Sequence, residues 1–113
     1  MLVYGADDFT IASAREVRLE HVTVQATADG LARGTILANA GDGSYAALSE
    51  TNVAKAEVIL AEDVAAGTEK VVAPVYVSGD FVENGLKAGV ELTADAKFNL
   101  KNAGIYLVNG VTA

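Results

Sequence analysis

Cysteine is absent from the chain, and proline occurs once, at Pro74. Without cysteine there are no disulfide frameworks, thiolate metal centres or cysteine nucleophiles, a composition that fits a reducing compartment. Tryptophan is also missing, and the aromatics are four tyrosines and three phenylalanines, which leaves few platforms for stacking a sugar or a base. His21 is the single histidine, so one chain cannot assemble a serine–histidine triad or a two-histidine metal site. Its place between Leu19 and the valines of a strand marks it as a structural or interface residue. Positive charge is scarce: eight Lys and Arg against fifteen Asp and Glu, for a net charge of −7. The basic residues form no stripe, so the electrostatic attraction that drives nucleic-acid binding is missing, and an anionic membrane surface would repel the chain. Long hydrophobic runs are lacking too. The longest, Val71 to Val77, is far too short to cross a bilayer. The amino-terminal stretch carries Asp7-Asp8 where a signal peptide would have its apolar run, so the chain is expected to be soluble and not exported by its own sequence.

What is present is a 113-residue chain that is 51% hydrophobic, mostly Ala, Val and Leu. That is the length of one domain. Residues 1–16 differ from the rest: Leu2, Val3, Tyr4, Phe9 and Ile11 are apolar but follow no helical or strand period, and Gly5 and the Asp pair interrupt them. They read as an N-terminal arm, extended or disordered when free, whose apolar side chains gain little until a partner covers them. Fully extended, such an arm reaches about 50 Å. Residues 17–113 read as a single β-rich domain.

Within that domain, Val17, Leu19 and His21 share one strand face and Val22 and Val24 the other, read as a slip of one residue that suggests a bulge or a change of sheet. Ala28-Asp29-Gly30 is a turn. Gly34-Thr35-Ile36-Leu37 opens a short strand, closed by the turn-rich Asn39-Ala40-Gly41-Asp42-Gly43, and Ser44 to Ala47 returns as a hairpin arm. Ala56 to Ala61 is a buried strand broken by Glu62-Asp63, and Ala66-Gly67-Thr68 turns again. Val71 to Val77 is the strongest strand; Pro74 cannot donate to a ladder, which predicts an edge or a bulge there. Gly79 and Asp80 are expected to bend it before Phe81-Val82 resume. One helix is expected, with Thr93 as N-cap, Asp95 in its first turn, Lys97 and Lys101 further on and Gly104 as its left-handed stop. Leu92, Ala96, Leu100 and Ala103 form its apolar face, and Ile105 to Val108 make a last strand. The expected fold is mainly β, a small barrel or sandwich with one short helix near the C-terminus.

Enzyme motifs are weak. Gly41-Asp42-Gly43-Ser44-Tyr45-Ala46 matches the G-x-G-x-x-A dinucleotide fingerprint, but that motif requires a helix opening inside a βαβ unit. Ser44-Tyr45-Ala46-Ala47 is poorly helical, and a hairpin turn explains the glycines better. The acidic pairs Asp7-Asp8 and Glu62-Asp63 occupy adjacent positions, which point to opposite faces of a strand. No loop has calcium-binding spacing. No catalytic, cofactor or metal site is expected.

Several segments nevertheless follow one another in a suggestive order: Gly34-Thr35-Ile36-Leu37, then Gly43-Ser44-Tyr45, then Ala56-Glu57-Val58-Ile59-Leu60-Ala61-Glu62-Asp63-Val64. After these come Val75-Tyr76-Val77-Ser78-Gly79-Asp80-Phe81-Val82 and Leu100-Lys101-Asn102-Ala103-Gly104-Ile105. The succession, over roughly residues 31 to 108, resembles the bacteriophage head decoration protein D family, the lambda-type capsid stabilisation proteins. The resemblance implies a β-clip-like fold and a homotrimer that binds the outer capsid surface at or near three-fold positions after the shell expands. The partners would then be the major capsid protein of a phage shell and further copies of this chain, with no nucleic acid, membrane or small-molecule substrate. The location would be the virion, after assembly in the host cytoplasm. The arm residues Leu2, Val3, Tyr4, Phe9 and Ile11 would anchor the capsid contact, and Gly34, Gly43, Gly79 and Gly104 would shape the fold. The alternatives are a free-standing ligand-binding β-barrel and another virion component of the tail or fibre type.

Overall fold

Strand-forming sequence segments separated by turn residues build a closed barrel. The computed structural model describes residues 18–82, 86–88, 90 and 92–108; the expected arm, with Leu2, Val3, Tyr4, Phe9 and Ile11, lies outside them. Among the described residues the strands are β1 (Arg18–Gln25), β2 (Ile36–Asn39), β3 (Ser44–Ala47), β4 (Ala56–Leu60), β5 (Lys70–Val82) and β6 (Ile105–Val108), with the helix α1 (Ala94–Ala103) and a 3₁₀ turn at Val53–Lys55. The order is β1-β3-β2-β4-β5, and a β1–β5 pairing closes the ring, leaving β6 beside β5 outside it. Two pairings are parallel, β1–β3 and β5–β6. The others are antiparallel.

Alternation along the strands divides the apolar side chains between two cores. Val24, Leu37, Val58, Leu60, Ala73 and Val75 fill the lumen. Ile36, Ala38, Ile59 and Tyr76 lie in a second cluster with Phe81, Ala96, Leu100 and Ile105, where α1 and β6 cover the outside of β2, β4 and β5. The Tyr76 and Phe81 rings sit with centroids 5.4 Å apart and planes tilted by 52°. Because β2 and β4 are covered on both sides, their side chains are buried almost throughout.

The helix follows its sequence signals. The Thr93 hydroxyl accepts the Ala96 N–H at 3.1 Å, and Gly104 ends the helix at φ 113°, its N–H reaching the Leu100 and Lys101 carbonyls. A Cβ at Gly104 would lie 3.2 Å from the Val77 carbonyl oxygen and 3.3 Å from the Ser78 Cβ, so the position demands glycine both for its backbone and for its neighbours. Ala96 and Leu100 are buried beneath the helix, but Ala103, expected on the same face, is exposed.

The other sequence-expected glycines also carry positive φ: Gly34 at 94°, Gly43 at 90° and Gly79 at 137°. β5 continues through Gly79 and Asp80 to Val82, and Gly79, at φ 137°, stands where its partner changes from β1 to β6. Two expectations are corrected. The slip placed between His21 and Val22 is absent: Leu19 to Gln25 pair in continuous register, with Val24 buried inside and Leu19 and His21 exposed outside, as plain alternation requires. The irregularity falls instead between Arg18 and Leu19.

Pro74, expected at an edge or bulge, sits in a strand paired on both sides. Its carbonyl accepts the Ala61 N–H at 2.9 Å, so its backbone polar positions face β4, at the point where that ladder ends. Toward β1 it stands opposite His21, at a position that exchanges no ladder bonds. The missing N–H therefore costs the β1 ladder nothing, while on the β4 side it leaves the Ala61–Pro74 pair with one bond in place of two, where that ladder stops.

Candidate interaction surface and polar cleft

The outer wall of the barrel is covered over β2, β4 and the middle of β5, whereas over β1 and the start of β5 the described residues place nothing. Leu19, His21 and Thr23 point outward from β1, and Val72 and Pro74 stand opposite Thr23 and His21 on β5. Leu19 is 52% exposed and Val72 71%. This places the histidine singled out in the sequence on an exposed stripe beside Leu19, Thr23 and Pro74. Phe98, on the solvent side of α1, is 65% exposed as well. Full burial of a Leu or Val side chain contributes roughly 1.5–3 kcal/mol, so a partner covering this stripe gains association energy without any polar recognition.

A polar cleft of about 340 Å³ opens elsewhere, lined by Asn39, Ala40, Gly41, Lys55, Glu57 and Asn99. A β-bulge organises it. Leu37 pairs with Val58 and Ala38 with Ala56, so Glu57 is the residue that the ladder skips, and the bulge re-aims its side chain. One Glu57 carboxylate oxygen accepts from the Tyr45 hydroxyl at 2.9 Å, the other from Asn39 Nδ2 at 3.3 Å. Asn99 Nδ2 donates to the Ala56 carbonyl at 2.7 Å, tying α1 to the bulge. Burial, and then the hydrogen bond to Glu57, push the Tyr45 phenol above its ordinary value. The cluster links β2, β3, β4 and α1 and satisfies its own donors. Sequence reasoning missed it, because a bulge depends on the register of two strands and leaves no local composition signal.

The Gly41-Asp42-Gly43 motif is the β2–β3 hairpin loop. Asn39 Oδ1 accepts the Gly41 N–H at 2.8 Å, and Asp42 Oδ1 accepts both the Ser44 N–H at 3.1 Å and the Ser44 hydroxyl at 2.6 Å. Lys70 Nζ lies 3.0 Å from Asp42 Oδ2. The Ser44 hydroxyl first and the Lys70 ammonium second hold the Asp42 carboxyl well below the usual carboxylate range. Here the loop's glycines serve a turn between antiparallel strands, and no helix opens after them. Glu62 and Asp63 are both exposed, and Asp63 accepts the Arg33 backbone N–H at 2.7 Å.

Among the described residues no group of three His, Cys, Asp or Glu side chains could hold a metal ion, and no helix is long and apolar enough to cross a membrane. The fold and these surfaces define a small closed β-barrel with one outer flank sealed and the other left uncovered by the described residues. No protein-family model and no curated protein matches the chain.

Proposed function

We propose that this protein is a virion structural protein. It binds the outer surface of a phage capsid as a trimer at or near the three-fold positions and stabilises the expanded shell. The observation that carries the reading is where the resembling segments fall. Gly34-Thr35-Ile36-Leu37 enters β2, and Gly43-Ser44-Tyr45 enters β3. Ala56 to Val64 forms β4 and its exit, Val75 to Val82 the second half of β5, and Leu100 to Ile105 the joint between α1 and β6. Four segments that are individually commonplace thus make up the contiguous wall β3-β2-β4-β5, and the fifth lies in the layer that covers it. The bare β1–β5 flank supports the same reading, since cementing calls for apolar complementary surface and not for reactive groups. A ligand-binding barrel is less well supported, because side chains fill the lumen where such a barrel keeps its cavity.

Arms tethered to a three-fold trimer bind with high effective concentration, so contacts that are weak singly become strong together. The test is to mix the purified protein with expanded, undecorated phage shells, sediment them and image the particles. Added density at the three-fold positions is expected, and removal of residues 1–16 is expected to abolish it while the domain stays folded. Shells that sediment bare with the intact protein would refute the proposal, whereas decoration by the truncated protein would show that the barrel's β1–β5 flank suffices for the contact without the arm.

A further inference from the structure

A second surface arises where β4 leaves β5. After Ala61 donates to Pro74, the chain turns away, and Val64 bridges to Leu31, exchanging N–H to carbonyl bonds of 2.8 and 2.9 Å. Gly30 permits that approach, because a Cβ there would lie only 2.9 Å from the Val64 carbonyl oxygen. Among the described residues, the departure leaves the start of β5 without a neighbouring strand on one side. Backbone direction follows from the register. The Ala26 N–H donates to the Glu69 carbonyl, and Val24 and Val22 stand opposite Val71 and Ala73, so the odd-numbered residues here bond to β1. Lys70 and Val72 therefore turn their N–H and C=O groups the other way. No strand lies opposite them among the described residues.

In that space is a groove of about 550 Å³, walled by β5 and the chain from Glu62 to Glu69. Its floor is apolar, with Val64, Ala66 and Ala73 among its lining residues, and Glu62, Asp63 and Glu69 supply the charge. No basic residue lines it, and the Lys70 ammonium is held away on Asp42. We propose that this groove is a strand-addition site: an extended, basic polypeptide segment of a partner protein pairs with the open Lys70–Val72 edge of β5. Backbone bonds supply the pairing, alternate apolar side chains of the segment enter the groove, and its Lys or Arg residues meet the acidic rim. A second copy of this chain is a poor occupant, because two such acidic rims would face one another.

The site can be tested without a shell, so it stands or falls separately from capsid decoration. A short synthetic peptide of alternating lysine and valine, titrated into the full chain at millimolar concentration, is expected to give saturable amide shifts at Lys70, Val72, Ala65 and Ala66. Added salt should weaken them, and the matching glutamate–valine peptide should give none. Val72→Pro removes the groove-facing N–H and spares the β1 ladder, as Pro74 already does. It is expected to weaken the lysine peptide about tenfold. Should that variant fold poorly, the double variant Glu62→Lys and Glu69→Lys gives an independent reading and should reverse the peptide preference. No binding of the basic peptide, shifts confined to another surface, or a charge-reversed variant that binds as wild type would overturn the proposal.

Discussion

Val72 and Tyr76 lie on the same outward side of one strand, yet Val72 is 71% exposed and Tyr76 only 9%. The difference is made by what is laid over the barrel. Over Tyr76, α1, Phe81 and Ile105 supply a second core; over Val72 the described residues place nothing. A closed barrel buries its lumen on its own terms, but its outer wall is apolar only where another layer arrives. Apolar residues outside that layer are then available to a partner. Leu19, Val72 and the Pro74–His21 pair mark the flank left open in this way.

The sealed flank should be the sensitive one. Phe81→Ala removes a fully buried ring from its centre and is expected to cost about 3–5 kcal/mol by denaturant unfolding, a large share of a typical domain's stability. Gly104→Ala, forced into positive φ against the Val77 carbonyl, should cost about 1–3 kcal/mol. Thr93→Ala, which loses the helix cap, should cost about 1 kcal/mol in the same assay. On the bare flank, Leu19→Ser and Val72→Ser should each change stability by less than about 0.5 kcal/mol. A large loss there would mean that the flank is covered within the isolated protein. The smallest effect belongs to the hairpin. Asp42 has its pKa lowered in the folded state, so its stabilising contribution is complete above the ordinary carboxylate pKa and fades as pH falls toward the folded value. The stability difference between wild type and Asp42→Asn should therefore be constant from neutral pH down to about pH 4 and shrink below it.

Elements whose signals are local could be read from the sequence. Thr93 and Gly104 bracket a helix because a hydroxyl cap and a left-handed stop act within a few residues, and Asn39 to Ser44 makes a hairpin loop for the same reason. Properties set by distant pairing were not legible. Pro74 reads as an edge residue until the register shows that its lost donor faces the end of β4. The bulge at Glu57 and the polar cleft around it depend on how β2 meets β4, which neither strand encodes alone. Closure of the ring by β1 and β5 is of the same kind, and so is the bare flank. Alternation shows that Leu19 and Val72 point outward, but not that α1 covers a different side.

The proposed shell contact through the flank that the described residues leave uncovered has one direct test. The most direct measurement is imaging of expanded, undecorated phage capsids incubated with wild type and, in parallel, with the double variant Leu19→Glu and Val72→Glu, the two proteins being matched in thermal unfolding. Added density at the three-fold positions is expected with wild type and none with the variant. Bare three-fold positions with wild type, or equal density with both proteins, would contradict it.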